Sequence, residues 1–151
     1  MSKVEQRLAE LGLTLPTPVS PIANYVPFAR TGNLLHISGQ VSLDASGGIT
    51  GTVGVDVDME RAQAAARLCG LNILAQIKAA VGDLDMVKRV VKLGGFVQAG
   101  PEFFDIPTVV NGCSDLMVAA FGDLGRHARA AVGVYRLPRN FAVEVDAVVE
   151  V

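Results

Sequence analysis

The C-terminal run Gly125–Val151, reading GRHARAAVGVYRLPRNFAVEVDAVVEV, restricts the fold more than any other stretch. In an extended chain, successive side chains point to opposite faces. Val143, Val145, Ala147, Val149 and Val151 therefore share one face, and Glu144, Asp146 and Glu150 the other. That alternation predicts a half-buried strand. In the preceding segment Arg129, Ala131, Gly133 and Tyr135 share a face, opposite Ala130, Val132 and Val134. A guanidinium thus begins a face whose next residues are small, leaving room for a small anion. On pattern alone such an arginine is more often a solvated charge. Leu137-Pro138-Arg139-Asn140 separates the two segments. A hairpin about Leu137–Phe141 would put Arg129 opposite a residue near Val149 and leave Glu144 about 16 Å further along the strand.

The rest of the chain supplies partners for that sheet. Ser2-Lys3-Val4-Glu5 is a capping box, followed by the stripe Val4, Leu8, Leu11 and a terminating Gly12, which predicts a short N-terminal helix. Pro16, Pro18, Pro21 and Pro27 mark an extended connector, so residues 1–23 read as a helix and linker ahead of one domain that fills the chain. Tyr25–Arg30 and Asn33–Ser38 flank a Thr31-Gly32-Asn33 turn and predict a hairpin, with a further strand over Ile49–Val55. Asp58–Val81 is the longest helical segment, capped by Asp56 or Asp58 and stopped at Gly82; Asp85 is a candidate cap for a brief turn after it. Val87–Val97 reads as a strand with solvated Lys88, Arg89 and Lys92. A second helix is framed by Asp105 as cap, Pro107 in the first turn and Gly122 after the end. Strands and helices in this order predict an α+β fold, a sheet with two main helices on one face.

Composition narrows the function. The formal net charge is −2 and the cations are scattered, apart from Lys88-Arg89…Lys92 and Arg126…Arg129, which argues against a nucleic-acid partner. No run of apolar residues is long enough to span a membrane, and the charged start MSKVEQRLAEL is unlike a signal peptide, so the expectation is a cytoplasmic protein. Cys69 and Cys113 fall in helical patterns without metal-ligand spacing and read as buried reduced thiols. Neither GxGxxG nor GxxxxGK[ST] occurs, so no nucleotide phosphate loop is expected. Half of the residues are hydrophobic, which suggests that some apolar surface is buried between subunits.

The blocks LLHISGQVSLD, ARAAV…LP…VEVDAVVEV and the segment around Asn111 resemble the signature regions of the RidA (YjgF) family, especially its longer members, from about Tyr25 to Val151. The resemblance implies a chorismate-mutase-like fold with a mixed sheet, assembled as a homotrimer with sites between subunits. It also implies hydrolytic deamination of reactive imines or enamines carrying a carboxylate, with no cofactor and no metal. By that resemblance Arg129 is the carboxylate clamp, a role that suits a permanently charged, bidentate donor. Asn111, Ser38 and Gly39 line the substrate pocket, Tyr25 is a site tyrosine and Glu144 orients the attacking water. The chain departs from relatives at Ala23-Asn24-Tyr25, where Gly-Pro-Tyr is typical, at His127, near the usual proline, and at Ala131, where many carry cysteine. Two other functions compete: a non-catalytic trimer that binds a small ligand, and an endoribonuclease, a label some members carry.

Overall fold

The computed structural model describes residues 1–151. Three helices, α1 (Lys3–Glu10), α2 (Met59–Val81) and α3 (Ile106–Phe121), accompany five strands: β1 (Phe28–Thr31), β2 (Leu34–Val41), β3 (Arg89–Gln98), β4 (Ala128–Val134) and β5 (Val143–Glu150). The strands form one mixed sheet in the order β1-β2-β5-β3-β4. Every pairing is antiparallel except β3 with β4. The α+β expectation, with its mixed sheet and helical layer, is met.

The expected pairing of the last two strands is not. β3 lies between β4 and β5, so Arg129 stands beside Leu93, while Glu144 stands beside Phe96 on one side and Val41 on the other. β5 is central, paired with β2 and β3, and its alternation buries Val143, Val145, Ala147 and Val149 beneath α2. Between β4 and β5 the chain turns at Pro138–Asn140, with Arg139 at positive φ, and steps over β3.

Directly paired residues share a sheet face. Arg129, Leu93 and Ala147 therefore project toward the helices, and Glu144, Phe96 and Val132 toward the open side. α2 covers β2 and β5, and α3 covers β3 and β4. The two helices approach closely because of glycines: a methyl group at Gly112 would stand 2.1 Å from the Gln63 carbonyl oxygen, and one at Gly70 2.8 Å from a Leu116 methyl. α2 is long and apolar enough to cross a membrane by length and composition, yet most of it is buried as the core helix. Cys69 and Cys113 are free, buried thiols on these facing helices; burial pushes Cys113 up to about 12.

Other local expectations resolve in detail. The capping box forms, Ser2 Oγ accepting from the Glu5 amide and the Glu5 carboxylate from the Ser2 amide. Leu11, placed in the buried stripe by its spacing, is instead exposed at the helix C-cap. Asp85 does not cap the brief turn that follows α2; Asp83 does, and Asp85 accepts from the Lys3 and Val4 amides at the start of α1. Asp58, not Asp56, caps α2. Asp105 sits at the N-cap of α3 without a side-chain capping bond; its carboxylate accepts from the Thr108 hydroxyl. Ile49–Val55 is no strand and makes only isolated bridges, at Thr50 and Val53. The Gly47, Gly48, Gly51 and Gly54 conformations, all at positive φ, break any continuous ladder there. β1 begins at Phe28, so Tyr25 belongs to the connector.

Candidate functional site

The six site residues named from the sequence separate into two groups on opposite faces of the sheet. Tyr25, Ser38, Gly39 and Glu144 line one cavity of about 180 Å³ on the open side. Arg129 and Asn111 lie on the helix side, outside that cavity. Across β3, Arg129 and Glu144 of one chain are about 14 Å apart at ordinary strand spacings.

The cavity is built on an irregularity in β2. Pairing with β5 shifts register between Ile37 and Gln40, which bulges Ser38-Gly39 outward. The Ser38 hydroxyl donates to the Val26 carbonyl at 2.7 Å and the Ser38 amide to the Pro27 carbonyl at 2.9 Å, so the bulge holds the connector that carries Tyr25. Further back, Gln76 of α2 donates to the Val19 carbonyl at 2.7 Å and fixes the other end of that wall. Asn72 of α2 also lines the cavity, donating to the Val41 and Leu43 carbonyls at 3.2 and 2.9 Å. Gly39 matters for what it lacks: a Cβ there would stand 2.7 Å from Glu144 Oε2, so the carboxyl group lies directly over the bulge. Burial raises the pKa of Glu144, and the neighbouring carboxylate of Asp146 raises it further. A carboxyl group so placed holds its proton to higher pH than a solvated one.

On the other face, Arg129 is held by a chain of hydrogen bonds. Its Nη1 donates to Asn111 Oδ1 at 2.7 Å and to Ser114 Oγ at 3.1 Å. Ser114 Oγ also lies 2.9 Å from His127 Nε2, and His127 Nδ1 lies 2.6 Å from the Gly125 carbonyl oxygen. A carbonyl only accepts, so Nδ1 carries the imidazole hydrogen, and a neutral ring then accepts the Ser114 hydroxyl at Nε2. Both Nη1 hydrogens are engaged, leaving the edge formed by Nε and Nη2 for a planar anion. Neither of the chain's two ion pairs, Lys78–Glu5 and Arg126–Asp123, involves this arginine.

Ser114, His127, Asn72 and Arg139, the last at the cavity rim, were not placed at a site by the sequence reading. Spacing could have pointed to the first two. Ser114 follows Asn111 by one helical turn, and His127 shares Arg129's strand face.

Residues 5–150 match the family described as "YjgF/chorismate_mutase-like, putative endoribonuclease". Protein TCP17 of Trypanosoma cruzi is 49% identical over 98% of this chain and 94% of its own. A crystal structure of a protein of unknown function from Agrobacterium tumefaciens is 53% identical, with a TM-score of 0.93 over 98% of this chain and 92% of the other. RidA from an Antarctic Psychrobacter is 26% identical, with a TM-score of 0.63 over 91% of this chain and 96% of that one. A family match over nearly the whole chain, a relative sharing half its residues, and a common mixed sheet under two long helices agree: the chain belongs to the YjgF/chorismate-mutase-like family, to which the RidA proteins belong.

Proposed function

We propose that this protein hydrolyses small, carboxylate-bearing imines or enamines, and that its sites form between copies of the chain in a cytoplasmic homotrimer. The observation that carries the reading is the division of the candidate residues. One group has a cavity and a carboxyl group with a raised pKa but lacks Arg129; the other has a guanidinium with a free edge and lies outside that cavity. Arg129 from a neighbouring copy, delivered to the Glu144 cavity, completes both.

The chemistry asks little of the protein beyond placement. A protonated imine is already electrophilic, so holding its carboxylate on Arg129 and a water beside Glu144 brings the reactants together. Glu144 takes a proton from the water as oxygen bonds to the imine carbon, giving a carbinolamine. It returns that proton to nitrogen as the C–N bond breaks, and the carbinolamine hydroxyl gives its own proton to the departing ammonia, leaving a 2-oxo acid and an ammonium ion. The upward shift of Glu144 suits a group that must both accept and donate. Tyr25 and Ser38 supply hydroxyls at the cavity wall; the Ser38 hydrogen is committed to Val26, so its oxygen remains to accept from water or substrate. No step calls for a cofactor or a metal.

The test is ammonia release from 2-imino acids generated in place by an amino-acid oxidase. Wild-type protein should accelerate it, and Arg129→Ala should reduce kcat/KM at least about a hundredfold. Equal rates with and without protein across several side chains would reject hydrolysis and favour a binding role. RNA cleavage that depends on Glu144 would instead support the endoribonuclease reading.

A further inference from the structure

We infer that Arg139 is a second anion anchor in the Glu144 cavity and that it selects a ligand with two acidic groups, a short dicarboxylate over a monocarboxylate. The inference rests on the proposal that this cavity is the ligand site, but not on hydrolysis taking place there.

Arg139 and Asn140 are the chain's two non-glycine residues at positive φ, 55° and 64°. Two successive residues in the left-handed region are uncommon, and such conformations persist only where their surroundings impose them. Here the agent is Gln98, wholly buried at the end of β3. Its Nε2 donates to Asn140 Oδ1 at 2.7 Å and to the Gly51 carbonyl at 3.0 Å, and its Oε1 accepts from the Leu137 amide at 2.7 Å. The Gly51 amide adds a bond to the Asn140 carbonyl at 2.9 Å. A buried side chain thus fastens both ends of the turn, and Arg139 is the residue that turn presents.

What it presents is a cation without an anion. Arg139 belongs to neither ion pair and stacks over the Phe141 ring, 5.8 Å from guanidinium carbon to centroid. Among the residues lining the cavity it is the only cation, and Glu144 the only acidic group. A guanidinium held over an aromatic ring keeps its donor edge free for a carboxylate. Arg129 of a neighbouring copy would take the carboxylate beside the reacting carbon, and Arg139 the distal one.

Calorimetric binding of two stable 2-oxo acids tests this. Wild-type protein should bind 2-oxoglutarate about tenfold more tightly than 2-oxobutyrate. Arg139→Gln should remove that preference while leaving 2-oxobutyrate binding unchanged. Arg139→Gly, which the positive φ favours, should keep or raise the melting temperature and still lose the preference, separating the guanidinium from the integrity of the turn. Equal wild-type affinities, absence of binding by either acid, or an equal weakening of both in the Arg139 variants would overturn the inference. Failure to release ammonia from any imine, with the dicarboxylate preference intact, would reject the proposed reaction and leave this anchor standing.

Discussion

The two faces of the sheet treat charge in opposite ways. On the helix face, Arg129 is oriented directly by Asn111 and Ser114 and through Ser114 by His127, and no acid pairs with it, so its positive charge is directed without being neutralised. On the open face, Glu144 lies half-buried over Gly39 beside a second carboxylate, Asp146, and both acids are raised by burial. One face preserves a cation ready for an anion; the other keeps an acid reluctant to ionise. On the proposed reading, neither face is a complete site, and the contrast teaches that one sheet can prepare the acid and the clamp separately.

Removing the acid should have the largest effect. Glu144→Gln keeps the shape and loses proton exchange, and turnover in the ammonia assay should fall by roughly 10²–10⁴-fold. Next comes the bulge. Gly39→Ala places a methyl group where the Glu144 carboxylate lies, and kcat should fall about tenfold with the fold retained in circular dichroism. On the clamp side, Ser114→Ala removes one of two acceptors for Arg129 and should raise KM about fivefold with little change in kcat. A fall in kcat equal to that of the Gly39 variant would break the distinction between a face that does chemistry and a face that binds.

The smallest effect concerns stability. Glu144 and Asp146 have folded pKa values above their unfolded ones, so the folded chain binds more protons over that interval. Stability is then greatest below the unfolded pKa values and declines as pH rises through the raised folded ones. Thermal melting of Glu144→Gln should show a shallower decline and a slightly higher melting temperature at neutral pH. An unchanged pH dependence would remove the case for a perturbed acid.

How much of this the sequence reveals differs by element. The alternation Val143…Val151 is legible because a strand with one buried face has a period of two, and β5 appears where it predicts. The capping box at Ser2–Glu5 and the long helix capped at Asp58 are legible because their signals are local. The partner of β4 is not: Arg129 stands beside Leu93 rather than a β5 residue because pairing across a sheet depends on which strands both need flanks. Asp85 is similar, since its partners at Lys3 and Val4 are distant in the chain. At the site, the family resemblance marked Arg129, Asn111, Ser38, Gly39, Tyr25 and Glu144, but no local pattern says that they face opposite ways. Arg139 eluded the reading because its importance arises from Gln98, a buried glutamine on another strand.

The central claim, that sites join Arg129 of one copy to Glu144 of another, is tested most directly by mixing inactive chains. Arg129→Ala and Glu144→Gln, each inactive alone, should be co-expressed, purified together and assayed for ammonia release. In randomly mixed assemblies about a quarter of the boundaries would pair an intact Arg129 with an intact Glu144, so activity should return to roughly that fraction of wild type. Mixed assemblies that remain as inactive as either variant alone would contradict a shared site.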